Sequence, residues 1–220
     1  MKSKFLFIPV MLVLSFGIGS CATAKSRSAK MSGTERAAAA SSTMELVEND
    51  IRLLVMQIST TNSALQTLVQ TEQVDIEKAY KEYVATFNAT KDTAERFFAH
   101  SDKQNQQIRD YFDEWQTQAN AYANPEVQAL SEQRRVELSA VNASIAEANV
   151  GVMGTLNQYI TTTNEIKTYF STDLTTKGVE AIVPVAQSAI VNGIFLRSSL
   201  ESLYTSIATL RAELSTSTIQ

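Results

Sequence analysis

Starting at Ile76 and stepping alternately by four and three residues, the chain presents Tyr80, Tyr83, Phe87, Thr90, Ala94, Phe97, Ser101, Gln104, Ile108, Tyr111, Trp115, Gln118 and Tyr122. Most of these are apolar or aromatic, and the register never slips. A 3.5-residue repeat lies along one side of an α-helix and calls for a facing helix to bury it. A strand, whose side chains alternate every second residue, cannot present this pattern. The spacing predicts a helix over 76–122, about 70 Å long at 1.5 Å per residue.

Asn124-Pro125-Glu126 ends that helix and starts the next. Asn124 can accept from the first free amides, and Pro125 suits a first helical position that needs no backbone donor. The following stretch carries Val127, Leu130, Leu138, Val141, Ile145, Ala148, Val152, Leu156, Tyr159, Ile166 and Phe170, ending near Leu174. Its step from Val152 to Leu156 breaks the alternation beside Gly151 and Gly154. This reads as a stutter with locally close or bent packing. A tight Asn-Pro turn makes the two long helices an antiparallel hairpin.

Two further helices flank the hairpin. The first, from about Thr43 to Val69, turns Val47, Ile51, Leu54, Ile58, Leu65 and Leu68 inward. The last, from about Lys177 to Leu214, has Ala189, Gly193, Leu196, Leu200, Leu203, Ile207, Leu210 and Leu214 as its seam, with Pro184 expected to kink it or delay its start. No Gly or Pro separates Val69 from Asp75, so the first two helices could also merge. With only 7 Gly and 3 Pro in 220 residues, the many turns of a β or α/β domain are missing. The expected fold is all-α: an elongated antiparallel four-helix bundle of coiled-coil hairpins over 43–214, with a frayed tail over 215–220.

The N-terminus has its own logic. Lys2 and Lys4 precede the apolar run Phe5 to Ile18, and Ile18-Gly19-Ser20-Cys21 follows. A run of about 14 residues is shorter than the roughly 20 that cross a bilayer, and the layout is that of a cleaved secretory signal. The small residues before Cys21 resemble a bacterial lipobox. That resemblance implies cleavage between Ser20 and Cys21, removal of 1–20, and a lipid on the Cys21 thiol. Ala22 follows, where the absence of Asp favours the outer membrane by resemblance to other Gram-negative lipoproteins. The small and basic stretch from Ala24 to Lys30 opens an expected flexible tether over 21–42. Cys21 is the only cysteine, so an internal disulfide is excluded.

Candidate chemistry in the body is sparse. His100 is the only histidine, which rules out a His-based zinc site and leaves a surface or seam-edge role. Asp110, Asp113 and Glu114 could serve acid–base work or hold a divalent cation. Bundle di-metal sites, however, use Glu-x-x-His motifs on facing helices, and none occurs. The aromatic stripe suits a core more than a ligand groove. Ser101 and Gln104 make a polar layer within it, and Arg134-Arg135 is a short basic pair that acidic neighbours can satisfy. No phosphate loop or nucleophile elbow is present. The formal charge of −4, with no basic stripe, argues against nucleic acid.

Taken together, Leu68-Val69, Asp75-Ile76-Glu77, Tyr80, Tyr83, Phe112-Asp113-Glu114-Trp115, Tyr122, Asn124, Ser131, Arg135, Tyr169 and Leu174 resemble a family of bacterial lipoproteins carrying domain of unknown function 2959. Family members carry more Glu, Asp and Arg, where this chain has Gln, Ser and Thr. The resemblance implies an all-helical envelope lipoprotein and brings no catalytic residue with it.

The expected function follows from these readings. A lipid on Cys21 would hold a helical, non-enzymatic scaffold or protein-binding module at the outer membrane, facing the periplasm. Its partners would be the membrane, another envelope protein or a second copy, with no cofactor and no metal. The alternative is a carrier of a small ligand or lipid, opening at Ser101 and Gln104.

Overall fold

The computed structural model describes residues 31–71 and 75–215. The lipobox, the residues up to Lys30 and the tail from Thr216 lie outside them. The described residues form four helices: α1 (Gly33–Gln70), α2 (Ile76–Ala119), α3 (Pro125–Thr172) and α4 (Thr176–Ser215).

Cross-helix pairs set the topology. Along α1, Arg36, Thr43, Asp50 and Thr61 meet Glu114, Gln107, His100 and Thr90 of α2, so partner numbers fall as α1 numbers rise. The same inversion holds for Tyr83 with Thr163 and Trp115 with Ser131, and for Tyr169 with Gly178. Glu48 with Arg211 and Asn62 with Ile190 repeat it between the first and last helices. Each helix is therefore antiparallel to both neighbours, and α4 closes the ring on α1. This is the up-down-up-down four-helix bundle.

α1 starts ten residues earlier than its apolar pattern suggests, so the tether expected over 21–42 is helical from Gly33 onward. The cause is a capping box. The Ser32 hydroxyl accepts from the Glu35 amide at 3.2 Å, and the Ser32 amide donates to the Glu35 carboxylate at 2.6 Å. That backbone bond holds the exposed Glu35 carboxyl below the usual carboxylate range. Ala37 and Ala40 then bury the first turns without bulky side chains. α1 and α2 do not merge, since α1 ends at Gln70 with Thr71 as its cap and α2 begins at Ile76.

In α2 the seam is buried from Ile76 to Tyr111, apart from a half-buried Tyr80. Beyond that the expectation fails. Trp115 is half-buried, Gln118 is exposed, and Tyr122 lies past the helix end with 43% of its surface exposed. Ala119 is buried in their place. A straight helix turns about 20° per heptad relative to a 3.5 repeat, so a long strict seam rotates out of the interface. Asn124 caps α3 by accepting from the Glu126 and Val127 amides, with Pro125 in the first turn.

α3 corrects the stutter. Its buried positions from Ile145 are Asn149, Val152, Leu156, Tyr159, Thr163, Ile166 and Phe170, alternating by four and three throughout. A reading restricted to apolar residues passes over Asn149 and selects the exposed Ala148. Gly151 and Gly154 face open space, so they mark no close packing. Val127, Leu130 and Val141, expected inward, are 43%, 62% and 39% exposed.

α4 buries its whole predicted seam, Ala189 to Leu214. It runs unbroken through Pro184, which is exposed, as is Glu180 one turn earlier. The carbonyl that loses its helical donor at Pro184 thus faces solvent, where water can serve it. Thr175 starts α4, its hydroxyl accepting from the Gly178 amide at 3.1 Å.

The tightest approach in the core is at Gly193. A Cβ there would stand 2.5 Å from Asn62 Nδ2 and 2.9 Å from the Tyr159 ring. Asn62 reaches that space because its amide donates to the Ile190 carbonyl at 3.0 Å and its Oδ1 accepts from the Tyr159 hydroxyl at 2.8 Å. One buried asparagine thereby joins α1, α3 and α4 and fixes their register.

Candidate functional site

Most of the candidate side chains are engaged in contacts with other residues. His100 sits at the α1–α2 edge with its Nδ1 2.6 Å from Asp50 Oδ2, and Arg96 Nε lies 3.5 Å from the other carboxylate oxygen. Asp50 is buried. It is the unforeseen member of this group, fifty residues from His100 in sequence, and only helix pairing brings the two together. A carboxylate on Nδ1 orients an imidazole for catalysis only if Nε2 meets a reacting group. The neighbouring Ser101 hydroxyl is buried without a hydrogen-bond partner, on the inner face of the helix. As built, the cluster ties α1 to α2.

The acidic trio is spread over separate contacts. Asp110 accepts from Gln106 at 2.7 Å, and Glu114 accepts from Gln118 while facing Arg36 at 3.9 Å. Asp113 stands exposed. Among the described residues no group of three or more His, Cys, Asp or Glu side chains is placed to hold a metal ion. Arg135 makes a two-pronged contact with Glu132, and Arg134 reaches Glu213 at 3.0 Å. Deeper in the ring, Arg211 grips the buried Glu48 at 2.6 and 3.0 Å, which holds the guanidinium pKa above its usual value.

The aromatic stripe is core. Tyr83, Phe87 and Phe97 are fully buried, and the Tyr83 and Tyr80 hydroxyls donate to the carbonyls of Thr163 and Lys167. Burial pushes the phenols of Tyr83 and Tyr159 well above the ordinary tyrosine value. Ser101 and Gln104 are 1% and 4% exposed. Each lies one turn from a buried Phe97 or Ile108, on the inner face of α2.

Open space is found at the α2–α3 end. A cleft of about 460 Å³ has Tyr111, Trp115 and Tyr122 on one side and Ala37, Arg134 and Leu214 on the others. Tyr111 and Trp115 meet edge to face at 5.5 Å, and Trp115 Nε1 donates to Ser131 at 2.8 Å. Outside the α3–α4 pair runs a shallower groove lined by Gly151, Thr155, Ser199 and Ser202. Comparison of the chain with protein-family models, with curated proteins and with solved structures found no match.

Proposed function

We propose that this chain is a membrane-tethered, non-enzymatic helical scaffold or binding module of the bacterial cell envelope. The observation that carries the reading is the sequence Ile18-Gly19-Ser20-Cys21, which stands ten residues ahead of the described body. A lipid on Cys21 gives the single cysteine a role, and the resemblance to a lipoprotein family points the same way. The body supports a role in contact rather than catalysis. Its histidine and buried carboxylates are engaged between helices, as His100 with Asp50 and Glu48 with Arg211. The partner is an envelope protein or a second copy, met on the periplasmic side of the outer membrane.

The test is metabolic labelling with an alkyne fatty acid, followed by mass measurement of the peptide beginning at Cys21. Acylated Cys21 at a new N-terminus is the expected result. An unmodified thiol, or a retained 1–20 segment, overturns the reading. Crosslinking the lipidated protein in cells, read by mass spectrometry, then names the partner.

A further inference from the structure

The large apolar residues exposed near the α2–α3 turn gather on one side of it. Val127, Leu130, Ser131 and Arg134 stand at i, i+3, i+4 and i+7 and so share one face of α3. Ser131 and Arg134 line the aromatic cleft, so Val127 and Leu130, 43% and 62% exposed, extend that lining toward the turn. Tyr122, 43% exposed, forms part of its wall, and Met31, 41% exposed, precedes the cleft residue Gly33. Among the described residues the α3–α4 hydrogen bond nearest this turn is that of Arg134 with Glu213.

Toward the opposite end Tyr80 and Tyr169 pack against Phe170, and an apolar cleft there, lined by Val69, Val183 and Val191, runs between α1 and α4.

We infer that the open α2–α3 end, with Tyr122, Val127 and Leu130 at its rim, docks on the interfacial layer of the bilayer. The inference rests on the proposed lipid at Cys21. Ten residues, Cys21 through Lys30, join that lipid to Met31, and even fully extended they reach no more than about 35 Å. α1 begins at Gly33, which lines the cleft, so this reach is measured from the end that carries the apolar rim. Tyrosine and tryptophan, apolar in body and polar at the tip, suit the headgroup boundary. Arg134 and Arg135 are paired with Glu213 and Glu132, and no cation cluster among the described residues marks this end. The contact made by the rim itself is thus apolar rather than electrostatic.

Trp115 is the only tryptophan and lines the cleft, so it reports on this contact without a label. The full-length lipidated protein is reconstituted in phosphatidylethanolamine–phosphatidylcholine vesicles containing phospholipid brominated on its acyl chains. Loss of most Trp115 emission is expected, unchanged in high salt. It should be reversed in a Val127→Asp, Leu130→Asp double variant, whose sites are exposed and whose helicity is checked by circular dichroism. Unquenched emission in the wild type overturns the inference, as does quenching that persists in the variant or disappears in salt. Acylation of Cys21 is measured by mass on the same sample. A bare Cys21 overturns the anchor reading itself, whereas an acylated protein with unquenched Trp115 overturns the docking alone.

Discussion

Where α3 hands over to α4, Phe170 is buried beside Tyr80 and Tyr169, the Tyr169 hydroxyl reaches the Gly178 carbonyl, and Gly178 is pressed against Asp173. Where α2 hands over to α3, Tyr122, Val127 and Leu130 remain in solvent around a cleft. Both turns are short and capped, and both join helices longer than ten turns. They differ in how many helices run alongside. At the first turn the neighbouring helices reach the end and a second core cluster forms, from Leu65 and Leu68 to Tyr83 and Val179. At the second, Pro125 to Leu130 of α3 are all exposed. An apolar residue at seam spacing is buried only if a partner helix reaches that level.

The comparison can be broken by mutation. Phe170→Ala, at the closed end, should destabilise the bundle by about 3–5 kcal/mol, read as a lower urea midpoint at unchanged slope. A loss below about 1 kcal/mol would mean that the end is not closed. Gly193→Ala should cost about 1–3 kcal/mol through overpacking against Asn62. The same change in an Asn62→Ala background should cost less, and a double-mutant cycle measures the coupling.

Alkali is a further probe of the closed region. Burial raises the Tyr83 and Tyr159 phenols above their unfolded value. Their contribution is therefore whole below about pH 10 and lost as pH rises toward the folded values. Each unit above about 10 should remove about 1.4 kcal/mol per buried tyrosine, and Tyr83→Phe should flatten that slope in urea titrations across pH. Ser32→Ala removes the cap at the start of α1 and should cost about 1 kcal/mol. Leu130→Ser, at the open end, should change stability by no more than about 0.5 kcal/mol. A larger loss would show that the rim is covered in solution.

The apolar seams of α1 and α4 could be read directly from residue spacing, because the seam positions there are apolar or glycine apart from Thr61. α2 could be read as far as Tyr111, after which the mismatch between 3.5 and 3.6 residues per turn carries the pattern off the interface. α3 was misread where its seam is polar, since Asn149 and Thr163 hold core positions that a search for apolar residues rejects. The capping box Ser32…Glu35 was present in the sequence, hidden by the run of small alanines behind it. The Asp50–His100–Arg96 group could not be foreseen, because it exists only once α1 and α2 are paired in one register. The exposure of Val127 and Leu130 was equally illegible, since it depends on another helix, not on local spacing.

The ring of helices also has an order in time. α1 packs on α2, its neighbour in sequence, and on α4, which is made after the other three, and Glu48 meets Arg211 and Asn62 meets the Ile190 carbonyl in that later helix. A chain halted before Thr176 would present a buried-type carboxylate and the flank of an apolar stripe to whatever surrounds it.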